Sequence, residues 1–506
     1  MAKQRIPLVG GTLRRGLSNA TNYAQDQSFY NCFYEISKNP GSGQAASYLN
    51  KRQGFSTFAI GPSGYVGGYA ATSWLGAATN PGKVIFAFCK TATGDNAICD
   101  YAGTQVGIDI PGYIACMSLT ETMISGVSNL IAIMLPSGAT PVPEAWYFAE
   151  GGAWTKIASN FPSNLGTPIR VVGEPVHMDG YMFIMGHNGR IYNSDLNSVT
   201  TWSTTGYIEA QQSPDVGCGL VKYKNMIVAL GPGSMEFFQN SGNATGSPLT
   251  RVQYISNIGC VPTYFVGIYQ QYAPTVTVGD TFYWLGMDAR SGGVKLYRMN
   301  GMQPEEVSTP SISRMFGASI NFKLWGSLNL HGLTHVMFSS QSQDGSYPAY
   351  CHETGQWWFF KPGESDAITR FHASSYIGAS YLTNASRNRY IATVYPGTPV
   401  YQDNSTNFTM TVQTQPLDHG TDNLKECTAF RLIADTQTTA GNVGVAYSDN
   451  DYSSFSTAKN IDMTLQQKKL DAGLGWFRRR SWKITETVNR PFRAQAFEVE
   501  FEVAEE

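Results

Sequence analysis

Gly180-Tyr-Met-Phe-Ile-Met-Gly-His-Asn-Gly-Arg-Ile-Tyr192 decides the fold. A short apolar run (Gly180–Met185) meets a Gly- and Asn-containing turn, and a second run with an aromatic end (Gly189–Tyr192) returns. Runs of this length, bounded by turn residues, read as a β-hairpin with one face packed. The same unit recurs on both sides. First runs are Lys83-Val-Ile-Phe-Ala-Phe88, Leu130-Ile-Ala-Ile-Met134, Asn225-Met-Ile-Val-Ala-Leu230, Asp280-Thr-Phe-Tyr-Trp-Leu285, Thr334-His-Val-Met-Phe338 and Arg389-Tyr-Ile-Ala-Thr-Val394. Second runs are legible at Ser234–Phe238, Gly293–Arg298 and Trp357–Phe360.

The first runs start roughly 45–55 residues apart, near the ~40–50-residue period of propeller blades. Helical spacing is rare, with Ser311–Phe316 a short instance. An all-β chain is expected, a β-propeller of about six blades over residues 61–407, in which radial repetition protects the strand edges. Residues 1–60 are irregular. They hold Arg14 and Arg15 in a Gly-flanked stretch and the run Phe29-Tyr-Asn-Cys-Phe-Tyr34, and are expected as an N-terminal arm. From about residue 408 the strands lengthen: Phe408–Gln413, Cys427–Ile433, Val443–Tyr447 and Phe497–Val503. The last alternates apolar residues with Glu, as an antiparallel strand with one wet face does. A separate β-sandwich is expected over 408–506.

Of the 506 residues, 14% are charged, against roughly 25% in an ordinary soluble domain. Hydrophobic content of 42% excludes a disordered chain. A net charge of −2 excludes a protein that wraps nucleic acid by neutralising phosphates. The N-terminal Met1-Ala-Lys-Gln-Arg-Ile-Pro lacks the apolar segment of a secretory signal. No apolar stretch is long enough to span a membrane; Leu130–Leu135 stops at Pro136. Synthesis in a cytoplasm is expected. The eight cysteines form no C-x-x-C pair, so buried free thiols are expected.

Candidate chemistry is sparse. His331-Gly-Leu-Thr-His335 has the i, i+4 spacing of a zinc helix but lacks its Glu. Read on a strand, its imidazoles lie about 13 Å apart, too far to share a metal. Ser448-Asp-Asn-Asp-Tyr-Ser453 has the acids of a calcium loop without its Gly and Glu, so an Asx-type turn is expected. Gly10-Gly-Thr and Gly231-Pro-Gly233 do not continue into a phosphate-binding helix. Neither a cofactor, a metal site nor a catalytic set is expected. Trp476-Phe-Arg-Arg-Arg-Ser-Trp482 is the densest basic and aromatic cluster. It makes Arg478, Arg479 and Arg480 the candidate interface for an acidic partner or nucleic acid, a protein contact being favoured by the lack of a basic surround. The alternative is an ordinary solvated strand with Arg478 and Arg480 on one face and Arg479 on the other.

A colinear set of elements carries a resemblance. Ser194-Asp…Trp202 is followed by Glu209-Ala-Gln-Gln-Ser-Pro-Asp215, Ser234-Met-Glu-Phe-Phe-Gln-Asn-Ser-Gly242 (with Ser241 before its Gly) and Ile258-Gly-Cys260. Thr281-Phe-Tyr-Trp-Leu-Gly286, Lys295-Leu-Tyr-Arg-Met-Asn-Gly301, Val307-Ser-Thr309 and Tyr350-Cys-His-Glu-Thr-Gly-Gln-Trp357 follow in order. Nearer the N-terminus stands Tyr48-Leu-Asn-Lys-Arg-Gln-Gly54, with Gln53 where Pro is usual. In order and type these residues resemble the packaged-DNA stabilisation, or tail nozzle, proteins of short-tailed phages.

The resemblance implies a non-enzymatic virion protein of the tail. It implies a homo-hexameric ring below the portal and head–tail adaptor ring, which retains packaged double-stranded DNA and conducts it during ejection. Tail fibres, spikes or a plug are the further partners it implies. The competing reading is a glycan-binding or sialidase-like propeller, since Asp-turn-Trp elements such as Asp195…Trp202 also occur in such blades. A ring subunit accounts for the low charge, because large permanent interfaces deplete charge and enrich aromatics.

Overall fold

A computed structural model describes residues 2–8, 28–38, 45–60, 66–90, 95–99, 104–137, 142–243, 245–261, 274–288, 292–318, 324–338, 346–362, 371–376, 379–384, 390–394, 399–403, 405–471 and 473–504. Gly10, Arg14, Arg15 and Arg389 lie outside them.

The described residues form a seven-bladed propeller joined to a β-sandwich. The blades are antiparallel sheets taken almost in chain order. Blade I holds Val66–Trp74, Lys83–Lys90 and Asp95–Cys99; blade II runs from Tyr113–Ile124 to Thr155–Lys156. Blade III runs from Val171–Met178 to Trp202–Glu209, and blade IV from Gly219–Tyr223 to Leu249–Ser256. Blade V contains Thr275–Val278, Thr281–Asp288, Val294–Asn300 and Gln303–Glu306, with Ile258–Cys260 added to its second strand. Blade VI holds Leu324–Leu330, Leu333–Phe338, Tyr347–Cys351 and Trp357–Phe360.

Blade VII takes Phe371–Tyr376, Ala379–Asn384 and Tyr390–Val394 from the end of the repeat, and its outer strand Ser56–Ile60 from before it. The ring is therefore closed by pairing the two ends of the propeller sequence. The count is seven where about six were expected, and the propeller starts at Ser56. The borrowed strand is separated from its blade by the whole repeat, so counting along the chain places it elsewhere.

The five seams from blade I to blade VI each bury an apolar cluster. Leu130, Ala132 and Met134 face blade I, while Ile131 and Ile133 on the same strand face blade III. Strands covered on both faces read as near-continuous apolar runs, as these do. After blade V, Pro310–Ala318 forms a helix opened by Pro at its first turn. Ile312, Met315 and Phe316 share one of its faces and pack with Phe338 and Tyr350 at the seam of blades V and VI.

The sandwich is assembled from both chain ends. One sheet contains Cys32–Lys38, Ala45–Lys51, Arg493–Val503, Lys425–Ala434 and Lys469–Leu470, with Ala2–Pro7 also along Arg493–Val503. The other contains Ser28–Tyr30, Met410–Gln413, Ser481–Glu486, Asn442–Ser448 and Lys459–Asp462. It continues into blade VI, because Tyr30 pairs in parallel with Phe359. Residues 2–7, 28–38 and 45–51, expected as an arm, are thus strands of the sandwich. Its core stacks Phe430 on Phe497 at 5.2 Å beside the fully buried Trp482. Phe497 and Val499 point inward while Glu498 faces out and meets Lys3 at 2.8 Å, as the alternation predicts.

Candidate functional site

The resemblance-bearing residues lie at the seams of the propeller. Ser194 is fully buried, and its hydroxyl accepts from Met182 N at 3.0 Å. Trp202 closes the turn by donating its Nε1–H to Val199 O at 3.1 Å. Asp215, on the crossing from blade III to blade IV, accepts from Gly233 N and Ser234 Oγ at 3.1 and 2.9 Å. Glu236 is almost completely buried; it accepts from Gln212 N at 2.8 Å and pairs with Arg251. Arg251 also donates to Glu209 O at 2.9 Å. One buried carboxylate thus fastens the end of blade III to blade IV. Gly259 passes so close to blade IV that a Cβ there would stand 2.0 Å from Pro232 O. Nothing larger than Gly fits without moving backbone.

The later elements converge at the seam of blades V and VI. Tyr283, Arg298 and Glu305 form one row across three strands of blade V. Arg298 holds Glu305 with two hydrogen bonds, at 3.0 and 2.9 Å. The Tyr283 hydroxyl lies 2.6 Å from His352 Nδ1 on blade VI. Trp357 donates to Val307 O at 3.1 Å. Tyr34 of the sandwich reaches the same turn, its hydroxyl donating to Thr354 O at 3.1 Å and its N–H to Gln356 Oε1 at 2.7 Å. Burial holds the Tyr283 hydroxyl well above its ordinary pKa. The cluster is a set of mutual pairs joining two blades and the sandwich.

The three arginines of the basic cluster have separate fates. Arg480 is fully buried, in bidentate contact with Asp449 at 2.7 and 2.8 Å, its guanidinium 3.8 Å from the Tyr447 ring centre. It also donates to Leu474 O at 2.5 Å. It is an internal strut of the sandwich. Arg478 and Arg479 are exposed, binding Asp422 O and the exposed Asp451. The expected facing, with Arg478 beside Arg480, therefore does not hold. Residues 478–479 form a bend, and regular alternation stops there. Trp476, half exposed, shares its face with Glu426.

The two histidines differ from their strand reading. His331 and Gly332 form the hairpin turn, both with positive φ, so the ring folds back over the sheet. Both imidazoles contact Phe33, at 5.7 and 4.4 Å between ring centres. Each has its own partner: His331 Nε2 donates to Lys51 O at 3.0 Å, and His335 Nδ1 accepts from Trp358 Nε1 at 3.0 Å. Burial pushes the His335 pKa down to about 3. Among the described residues no group of three or more His, Cys, Asp or Glu side chains has the arrangement of a metal site. The 448–453 loop is held by Asn450, whose Oδ1 accepts from Ser448 Oγ and Ser454 N at 2.9 and 3.0 Å; the backbone bond spans four residues, not the two of the expected Asx turn. Six cysteines are buried free thiols, and burial pushes Cys260 up to about 12. Among the described residues no helix is long and apolar enough to cross a membrane.

Sequence alone placed Lys51 and Arg52 in the Tyr48–Gly54 element without a role, and missed Asp403, Glu486 and Arg490; all five are buried at the junction of propeller and sandwich. The available signal was two adjacent cations, Lys51-Arg52, ending an otherwise uncharged strand in a charge-poor chain.

Residues 143–320 match the phage stabilisation family, described as "Bacteriophage P22 Gp10, beta-propeller". The match runs from the outer strands of blade II through blade V and its helix, and contains most of the seam residues above. It relates this portion to bacteriophage structural proteins. No curated protein matches the chain. Among solved structures, Chaetomium thermophilum Raptor aligns at TM-score 0.42 and 12% identity, over 68% of this chain and 29% of its own. The chain thus spans less than a third of that protein. The computationally designed Ika8 protein aligns at TM-score 0.34 and 11% identity, over 67% of this chain and 99% of its own.

Proposed function

We propose that this protein is a structural subunit of a phage tail. It would assemble with further copies into a nozzle ring below the portal and adaptor, and the ring would retain packaged DNA and conduct it at ejection. The observation that carries this reading is the family match over blades II to V, joined to a site whose charged residues pair across blade seams. Arg298 holds Glu305, Glu236 holds Arg251, and Tyr283 meets His352. A polar set engaged in this way suits a rigid scaffold better than a glycan-cleaving cleft, where such groups converge on open space.

The propeller geometry favours one arrangement of the proposed conduit over another. Neighbouring innermost strands approach within 8 Å between Cα atoms at six of the seven seams. At the seventh, a Cβ on Gly219 would lie 2.6 Å from Pro274. A heptagon with that edge is only about 18 Å across before inward side chains are counted. A duplex is at least ~17 Å across, twice the depth of its major groove. Inward side chains leave the axis of a single propeller too narrow for a duplex, which supports a conduit enclosed by several copies. A net charge of −2 fits a wall along which phosphates slide without being held.

The test is to mix purified protein with a portal–adaptor complex and record particle images and native mass. A sixfold ring on the complex is expected. A monomer that never joins it, or one that hydrolyses glycans, would overturn the reading. Tight binding of duplex DNA at physiological salt would overturn the sliding-wall account.

A further inference from the structure

The chain crosses between sandwich and propeller at Lys51–Phe55, where Ala45–Lys51 ends and Ser56–Ile60 begins. It crosses back at about 399–409. Arg52 sits between these crossings with no exposed surface. Its Nε donates to Asn31 Oδ1 at 2.8 Å, and Nη1 to Gln53 O and Asp403 Oδ1 at 2.9 and 2.8 Å. Nη2 donates to Lys361 O and Asp403 Oδ2 at 3.3 and 2.5 Å. All five guanidinium N–H groups are engaged, the full donor capacity of the side chain. The Phe408 and Phe360 rings lie 3.7 and 4.4 Å from its carbon.

The backbones close on the same point. Gly54 N donates to Val400 O at 2.6 Å, and a Cβ on Gly54 would lie 2.0 Å from Gln402 O. Phe55 N donates to Asp403 Oδ1 at 3.2 Å. Asn31, with φ +57, accepts from Lys361 N at 2.9 Å and donates to Thr409 O at 2.8 Å. Four passages of chain, near residues 31, 52–55, 360 and 400–409, are thus tied to one side chain. The strap that Arg52 fastens runs directly into Ser56–Ile60, the strand that closes the ring on Tyr390–Val394.

We propose that Lys51–Phe55 is a latched strap and that Arg52 with Asp403 is its lock. The lock makes closure of the propeller conditional on a sandwich that already holds the N-terminal strands, and it makes the two modules move as one body. The opposite end of the strap, Ala45–Lys51, is held by Cys32–Lys38 and by Arg493–Asn50 pairing at the C-terminal strand. Ring closure therefore depends on Arg493 and Ala494 at the start of the C-terminal strand.

Amide hydrogen exchange on the intact chain tests this. In the unaltered protein Ser56–Ile60 should open with the same constant as Ala45–Lys51. Independent, faster opening of Ser56–Ile60 would overturn the proposal. Arg52→Lys keeps the charge and loses the fork, and Asp403→Asn keeps the shape and loses the charge. Each should speed exchange at Ser56–Ile60 by roughly tenfold or more, an order expected from losing bidentate charge-assisted bonds. Exchange within Gly219–Tyr223, in the far blade IV, should not change. Equal protection of Ser56–Ile60 in both variants and the unaltered chain would overturn the lock.

Discussion

Lys51 Nζ stands 2.6 Å from Glu486 Oε2, and neither side chain has any exposed surface. Glu486 is shared, since its other oxygen accepts from Arg490 Nε at 3.1 Å and from Val488 N at 3.0 Å. Lys51 also donates to Val488 O at 2.7 Å and lies 4.9 Å from the Phe408 ring centre. Desolvation lowers the Lys51 pKa, with Glu486 opposing that shift.

This shared anion predicts an asymmetry. Glu486→Gln leaves two buried cations facing no carboxylate and should cost about 3–5 kcal/mol. Lys51→Met leaves Glu486 still held by Arg490 and Val488, and should cost only about 1 kcal/mol. Denaturant unfolding of both variants measures this. Equal costs, or a larger cost for Lys51→Met, would contradict the sharing.

The two arginines of the basic cluster should separate cleanly. Arg480→Ala empties a buried space walled by Tyr447 and Phe477 and leaves the Leu474 carbonyl without its donor, so a loss of about 2–4 kcal/mol is expected. Arg479→Ala removes an exposed pair and should change stability by less than about 1 kcal/mol. Where Arg478 and Arg479 contact a partner in the assembled tail, the double alanine variant should fold normally yet assemble poorly. Thermal unfolding beside an assembly assay reports both quantities.

Gly259→Ala should open the seam of blades IV and V. The added methyl meets Pro232 backbone, which has no flexible side chain to yield. Overpacking of this kind costs roughly 1–3 kcal/mol. Faster amide exchange at Ile258–Cys260 with blade II unaffected is the expected signature. An unchanged exchange map would show that the seam is looser than described.

Acid should destabilise the fold through His335. Its pKa is held down to about 3 by burial, against ~6.5 in an unfolded chain. Below the unfolded value the unfolded state binds a proton that the folded state refuses. The contribution of this group is therefore complete above about pH 6.5 and is lost as pH falls towards 3, at ~1.4 kcal/mol per pH unit. His419, lowered to about 4, acts in the same direction. His335→Gln retains an acceptor for Trp358 and should flatten the slope between pH 4 and 6, read from the unfolding midpoint at several pH values. An unaltered slope would exclude His335 as its source.

The sequence by itself determined the strands and their repeat. Runs such as Gly180–Met185 carry their own turn residues and their own alternation, and hairpin pairing joins residues that are neighbours in the chain. It also located the elements that bind blade to blade, because seam positions demand particular residues, as with Gly259 against Pro232. Only the tertiary structure decided how the ring closes and what the N-terminal segment is. Ser56–Ile60 finds its partner at Tyr390–Val394, and Arg52 finds Asp403 at a separation of 351 residues. No local pattern encodes such partners. They are selected by which edge is left unpaired once the blades have stacked, and by which buried charge then lacks a counter-charge. The basic cluster shows the same limit. Arg478, Arg479 and Arg480 are chemically identical in the sequence, and only burial beside Asp449 makes one of them part of the core.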